Sequence, residues 1–469
     1  MGRKEKFSNF EFQQILNASD LIKGSPVHKQ ARRFTLELLE AALVAANPSQ
    51  MVYNALQVKG SQLSFFNHQI DLDTTNGIYL VGAGKATGRM AEAAEEILGE
   101  YIADGFIIVP PNTIEKYSLD RVQIREGGHP LPTNSSVSAT KQIMTLIKNS
   151  PEDALILSLF SGGGSALFTL PATHITLKDL QRITTLLLQS GVTIAGINAL
   201  RKHLSQVKGG QFALQAHPRH HWILLISDVP GDQLDMIASG PTLPDPTTFH
   251  SASNILTKYQ LWEKIPGRVR EHIQAGLDGT VPETPKPDHP VFKRTVNRLI
   301  GSNHDACKAA QNSAQQKGFK ARILTTDCQG EAQQVGEQLG ILAQRLTPEK
   351  NPQVVIVGSE TTVTLRHPGK GGRNTELVAA TLPFLRNQEG LVIASLATDG
   401  IDGPTQYAGA IADTHSYARA KSLNIDPEEL LARNDTHTLF EVLNDHIFTG
   451  PTHTNVRDVT IILRNKSEL

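Results

Sequence analysis

The run Ile78-Tyr-Leu-Val-Gly-Ala-Gly-Lys-Ala-Thr-Gly88 most constrains what this chain can become. Ile78 to Val81 is a short apolar stretch that reads as a buried parallel strand. It breaks at Gly82 and Gly84, then enters a helical pattern through Met90 and Ile97. A strand, a glycine turn and a helix start make an anion site, because free backbone N–H groups and the helix dipole converge there. Lys85 adds a mobile positive charge. The stretch therefore suits a phosphate or a small carboxylate. It is neither of the common phosphate patterns. Thr87 stands where dinucleotide binding wants its third glycine, and the next apolar run, Phe106–Val109, ends in Pro110-Pro111 rather than near an acid. No G-x-x-x-x-G-K-[ST] occurs. The alternative is a tight turn whose glycines serve packing only.

Similar runs recur at Leu155–Leu159, Ile223–Ile226, Arg298–Gly301, Arg322–Thr325, Val354–Val357, Leu391–Ala397 and Val459–Leu463, with helical stretches between them. This alternation predicts an α/β protein with mainly parallel sheets. The helices carry their own signals. Thr176-Leu-Lys-Asp179 reads as a capping box, and Leu177, Leu180, Ile183 and Leu187 share one face before Gly191. At 469 residues, about two to four domains are expected. The segment Ala275–Pro290 holds four prolines and two glycines in 16 residues and has no periodicity. It sets the expected boundary: one domain over 1–280 and a second over 281–469, with this segment as a hinge. Ligands in open α/β sheets bind beyond the strand carboxyl ends, so a cleft between the two domains is expected.

Charge and composition exclude several classes. Lysines and arginines number 45 against 46 acids, for a net charge of −1 and no long basic run, which argues against nucleic acid as a partner. No stretch approaches the roughly 18 apolar residues of a membrane span. The amino-terminal residues carry mixed charge with no apolar region behind them, unlike a secretory signal. The two cysteines, Cys307 and Cys328, lack zinc-ligand spacing and cannot build a disulfide framework. A cytoplasmic protein is expected.

Glycine and polar clusters follow the strands repeatedly. After Leu155–Leu159 comes Ser161-Gly162-Gly163-Gly164-Ser165, a backbone nest with two hydroxyls. It lacks the G-x-S-x-G order of a serine-hydrolase elbow. After Ile223–Ile226 comes Ser227-Asp228-Val-Pro-Gly-Asp232, with Asp235 close behind. Asp228 and Asp232 are candidate Mg²⁺ ligands, with Asp228 also a candidate base; helix-cap and turn roles are the alternatives. His129, in Gly127-Gly-His-Pro130, is a candidate substrate contact or a turn residue. Asn198, Arg201, Lys202, His203 and Lys208 lie on or near one helix, where Arg201 and Lys208 either reach an acidic ligand together or form a solvated basic face. His217, His220 and His221 read as a loop cluster rather than a metal site.

In the second half, Val354–Val357 runs into Gly358-Ser359-Glu360. A basic loop, Pro368-Gly-Lys-Gly-Gly-Arg373-Asn374, then opens a helix, so Arg373 offers a guanidinium at a helix start, suited to bidentate binding of carboxylate or phosphate. Leu391–Ala397 leads into Thr398-Asp399-Gly-Ile-Asp402-Gly-Pro404, whose Asp399 and Asp402 are candidate metal ligands or a base. Cationic groups, glycine nests and strand-end carboxylates are the inventory of phosphoryl transfer.

The ordered motifs Val81-Gly-Ala-Gly-Lys85-Ala, Gly127-Gly-His-Pro-Leu-Pro132, Ser161-Gly-Gly-Gly-Ser-Ala-Leu167 and Asn198-Ala-Leu-Arg-Lys-His-Leu-Ser205 resemble the glycerate 2-kinase family. So do Ser227–Asp232 and Ile237-Ala-Ser-Gly-Pro-Thr-Leu-Pro-Asp-Pro-Thr-Thr248. Thr361-Thr-Val-Thr364, Gly371-Gly-Arg-Asn374, Thr398–Pro404 and Thr449-Gly-Pro-Thr452 resemble its MOFRL-type region, over about 352–465. The resemblance runs from roughly residue 35 to the end. It implies two α/β domains around a cleft, the first Rossmann-like. It also implies phosphorylation of D-glycerate at the 2-hydroxyl by ATP with Mg²⁺, by a monomer or homodimer. The family's active-site lysine falls on Lys85 and its arginine on Arg373, one of which would hold glycerate's carboxylate while the other serves the phosphoryl group. Gly82, Gly84, His129, Ser161 to Ser165, Arg201, Glu360 and Asn374 are the remaining candidate binding residues. Ser359 and Thr375 depart from the family's common Gly and Gln. Members are often labelled hydroxypyruvate reductases, which makes an NAD(P)H-dependent reductase the competing expectation.

Overall fold

The computed structural model describes residues 10–25, 27–347 and 352–465. The chain divides into two compact units, Pro48–Gly301 and the two flanking segments, up to Asn47 and from Ser302 on.

In the unit from Pro48 to Gly301, a small antiparallel meander comes first: β1 (Leu56–Lys59), β2 (Gln62–Phe65) and β3 (His68–Asp71). The main sheet contains β4 (Ile78–Ala83), β5 (Ile102–Val109), β6 (Val122–Glu126), β7 (Leu155–Phe160), β8 (His220–Ile226) and β9 (Thr295–Gly301). Its order is β6-β5-β4-β7-β8-β9, and every neighbouring pair is parallel. This is the doubly wound Rossmann order, which reverses direction between β4 and β7. All six residues of β7 are buried, as expected for a strand covered by helices on both faces. Ile143 and Ile147 of the helix Asn134–Asn149 pack with Val81, Ile108, Ile156 and Phe160 in one apolar cluster.

The second unit is built on β10 (Lys320–Glu331), β11 (Gln353–Thr362), β12 (Leu391–Ala397), β13 (Gly409–Asp413), β14 (His446–Ile447) and β15 (Asp458–Arg464), in the order β10-β11-β15-β12-β13-β14. Here the expectation of parallel strands holds only for β10 and β11. β15 inserts antiparallel between β11 and β12, and β13 and β14 continue antiparallel. Apolar periodicity reports burial and not strand direction.

The boundary also moves from its expected place at 280/281. Ala275–Pro290 is tied into the first unit: Thr284 donates to Asp245 at 3.0 Å and the Asp245 N–H donates to Pro285 at 3.0 Å. β9 then pairs with β8, so the sheet does not end until Gly301. The amino-terminal helix Lys29–Ala45 packs on the helix Asn303–Gln316 and on β15 and β12 of the second unit, to which it belongs. Arg32 fastens it. Its Nε donates to Asp413 at 2.6 Å, and Nη1 and Nη2 donate to Asp445 at 2.6 and 3.0 Å, with all three side chains inaccessible to solvent. Removing one member of such a network strands buried charge, so Arg32→Ala is expected to lower unfolding free energy by about 3–5 kcal/mol. Urea denaturation checks this; a loss under ~1 kcal/mol would place the anchorage of this helix in its apolar face instead.

Candidate active site

Because β4 and β7 are adjacent and parallel, their carboxyl ends deliver the two glycine loops to one place. The Lys85 N–H donates to the Gly162 carbonyl at 2.8 Å, and the Ala86 N–H donates to Ser161 Oγ at 3.0 Å. The loops touch so closely that a Cβ on Gly84 would sit 2.1 Å from Ser161 Oγ. A Cβ on Gly162 would sit 2.1 Å from the Asp228 carboxylate. The same construction at Gly163 meets the His129 ring at 3.0 Å and Lys85 Cγ at 3.5 Å. Lys85, His129 and Asp228, from the ends of three strand-following loops, therefore ring the Gly162–Gly164 nest. Burial, reinforced by the charge on Lys85, lowers the His129 pKa, so the imidazole is neutral at pH 7.

Other expected residues of this unit take differing places. Ser161 is fully buried and spends its hydroxyl oxygen on the start of the helix Thr87–Leu98. Ser165 pairs with Ser239 at 2.8 Å, and Ser239 donates to Asn198 at 3.0 Å. Asp232 is half-buried in the 3-10 turn Pro230–Asp232 that follows Asp228. Asp235 pairs with Lys202 at 2.9 Å. Arg201 and Lys208 line a small cavity with His129 and Ser165.

The second unit holds a second cluster. β15 runs antiparallel, so its first residue, Asp458, lies opposite Ser359, three residues before the end of β11, and Ala397 at the end of β12. Arg373, first residue of the helix Arg373–Leu385, grips Asp458 with both Nε (2.5 Å) and Nη2 (2.8 Å). Burial works against the guanidinium's charge, but Asp458 and then Glu360 and Asp399 outweigh it and hold Arg373 firmly cationic. Burial pushes the Asp458 carboxyl up to about 6 against the pull of Arg373, so at neutral pH it is the anion of this pair. Glu360, Arg373, Asp399 and Asp458 thus face one another at one sheet edge. Asp458 escaped the sequence reading: nothing in its neighbourhood marks a strand start as part of a site.

Asp402 is corrected. Its carboxylate is 1% exposed and accepts from the Asn374 N–H (2.9 Å), Asn374 Nδ2 (3.2 Å), the Thr375 N–H (2.9 Å) and Thr375 Oγ1 (3.0 Å). It latches a helix start and has no open face for a metal. Asn374, also 1% exposed, is likewise internal, with its carbonyl taken by Ser395 at 2.6 Å. Among the described residues no group of three or more His, Cys, Asp or Glu is placed to hold a metal ion. Mg²⁺ in nucleotide sites needs only one or two carboxylates, the rest being water and phosphate oxygens, so the half-buried Asp228 and Asp399 are donors of the right kind.

Comparisons with known proteins match this layout. A domain-of-unknown-function model, DUF4147, covers residues 34–274, and the MOFRL family model covers residues 353–458. A glycerate 2-kinase of Pyrococcus horikoshii is 39% identical over 92% of this chain and 97% of its own length. A putative hydroxypyruvate reductase of Agrobacterium vitis is 34% identical over 92% and 94%. The crystal structure of a glycerate kinase from Thermotoga maritima superposes with a TM-score of 0.82 at 35% identity, over 92% of this chain and 99% of that one. Similarity of this depth along nearly the whole chain, in both domains, shows that it belongs to the glycerate 2-kinase family of kinases.

Proposed function

We propose that this protein transfers the γ-phosphoryl group of ATP to the 2-hydroxyl of D-glycerate, releasing 2-phosphoglycerate and ADP. The ring of Lys85, His129 and Asp228 around the Gly162–Gly164 nest carries this reading. It stands where a doubly wound sheet reverses order, the usual ligand position in such folds. Phosphoryl transfer asks mainly for positioning and for cations on the equatorial oxygens. Lys85 is the candidate cation of the first unit and Arg373 that of the second. Asp228 or Asp399 would hold Mg²⁺ or orient the attacking hydroxyl. Mg²⁺, when bound, neutralises charge on the β- and γ-phosphates. The neutral His129 can accept or donate a hydrogen bond without adding charge.

The reductase name found among relatives is the weaker reading. Thr87 is fully buried, its hydroxyl 3.3 Å from the Leu159 carbonyl, at the position that a dinucleotide site gives to glycine. β5 ends at Val109 with Pro110 next, so no carboxylate stands there for a ribose 2′-hydroxyl. Both cysteines are free thiols, which suits a reducing compartment such as the cytoplasm. No helix among the described residues is long and apolar enough to cross a membrane.

An enolase-coupled assay tests the proposal: protein, ATP, Mg²⁺ and D-glycerate, without phosphoglycerate mutase. Phosphoenolpyruvate is expected. ADP without phosphoenolpyruvate would mean another hydroxyl or another acid. NADH oxidation by hydroxypyruvate with no ADP in the first assay would establish the reductase.

A further inference from the structure

A cavity of about 140 Å³ opens beside the glycine nest, walled by His129, Leu131, Ser165, Thr184, Arg201 and Lys208. Nucleotide and drug-sized sites run from about 300 Å³ upward, whereas this one holds roughly five waters at ~30 Å³ each. Two of its walls are basic side chains, Arg201 and Lys208, and no aspartate or glutamate lines it.

The neighbouring acids are committed elsewhere. Asp235 and Asp245 lie 2.9 and 3.4 Å from Lys202, and Glu283 lies 3.1 Å from His203. Lys208, only 4% exposed, donates to the carbonyls of Ser165 (2.7 Å) and Phe168 (2.9 Å), neither of which balances its charge. Burial first, and Arg201 second, bring its pKa down to about 7. Arg201, on the helix Ile194–His203, is half-buried, and its charge is opposed by desolvation alone. The Arg201 guanidinium makes no ion pair or side-chain hydrogen bond among the described residues. Basic groups drawn out of water without a counterion are costly, and perturbed groups of this kind in a cavity are candidate ligand contacts. A guanidinium presents the flat fork that matches a carboxylate.

The cavity also adjoins the catalytic ring. His129 is a wall of the one and a member of the other, and Gly163 separates the cavity from Lys85 Cγ. An acid whose carboxylate reached Arg201 would share the cavity with His129.

We propose that this cavity is the carboxylate subsite of the acceptor, and that Arg201, with Lys208 beside it, selects small 2-hydroxy acids, leaving Lys85 to the phosphoryl group. The assignment rests on the kinase reading for its geometry of transfer, but its binding step can be tested alone. In Arg201→Met, which keeps length and removes charge, KM for D-glycerate is expected to rise about 10- to 100-fold, the range of a lost charge-assisted hydrogen bond. KM for ATP stays unchanged. Preference for D-glycerate over glycerol shrinks by the same factor. The melting temperature holds or rises, because an uncompensated charge has been removed. Without ATP, D-glycerate raises the melting temperature of the wild-type chain and not that of Arg201→Met, while glycerol shifts neither.

An unchanged KM for D-glycerate in an active variant overturns the assignment and leaves the kinase reading intact. A raised KM for ATP instead makes this a phosphate subsite and also overturns it. A wild-type chain stabilised by D-glycerate through Arg201 yet unable to phosphorylate it retains the subsite and removes the kinase reading. If Arg201→Met does not fold, the wild-type melting shift decides: no response to D-glycerate at concentrations that saturate turnover overturns the assignment.

Discussion

Lys85→Ala lowers kcat for phosphoryl transfer by about 10³-fold or more and leaves the circular dichroism spectrum unchanged. The magnitude follows from position. Lys85 sits where the strand order reverses, against His129 and the Gly162–Gly164 nest, and its own N–H is fixed to the Gly162 carbonyl at 2.8 Å. The fixed backbone brings the Lys85 side chain to the nest, where its ammonium can meet the negative charge that moves onto the transferring oxygens. Removing one preorganised donor in other enzymes costs roughly 10²–10³ in kcat, and a full cationic group at phosphoryl transfer roughly 10³–10⁵. The form of the loss matters as much as its size. If Lys85 serves the transition state, kcat and kcat/KM fall together; if it only gathers ATP, KM rises and kcat survives. A Lys85→Ala enzyme turning over near the wild-type rate would remove Lys85 from the mechanism.

The first unit was largely legible because its logic is local. Ile78–Val81, Phe106–Val109, Leu155–Leu159 and Ile223–Ile226 lie inside β4, β5, β7 and β8, and parallel strands send all their carboxyl ends to one edge. Reading which residues follow each strand therefore collects Lys85, the glycine nest and Asp228 without knowing the strand order. The meander β1–β3 was missed although Lys59-Gly60-Ser61-Gln62 marks its first turn, with Gly60 at φ +60°. Four-residue strands give periodicity too little length to register.

The second unit resists the same reading. With β15 reversed, the functional edge gathers the ends of β11 and β12 but the beginning of β15, so a rule about residues after strands finds Glu360 and Asp399 and passes over Asp458. Arg32, Asp413 and Asp445 meet across almost the whole chain, and no local pattern marks an arginine in an amphipathic helix as the anchor of a distant sheet. Asp402 had the right residue type in the right loop, yet burial turned it into a helix latch. Proline density in Ala275–Pro290 correctly denied regular structure, but an irregular segment can be packed as firmly as a helix.

Arg373→Ala is expected to remove about 10²- to 10³-fold of kcat and, unlike Lys85→Ala, to lower stability as well. The guanidinium side chain is 30% exposed while Asp458 is 1% exposed, so the alanine leaves a buried carboxylate without its bidentate partner. The stability loss has a pH signature. Asp458 already has a pKa near 6, above the ordinary 3.8, and losing Arg373 raises it further. A carboxyl raised in the folded state binds its proton more tightly there than in the unfolded chain, so its contribution is present at low pH and lost as pH climbs through the folded pKa. The melting-temperature deficit of Arg373→Ala should therefore be small at pH 5 and larger at pH 8. Adding Asp458→Asn removes the stranded charge and should recover most of that deficit. It should not recover turnover, because Nε and Nη2 serve Asp458 while the rest of the fork, on a one-third exposed side chain, remains for a phosphoryl oxygen. Recovery of both stability and turnover in the double variant would reduce Arg373 to a structural counterion; recovery of stability alone separates the two roles of one side chain.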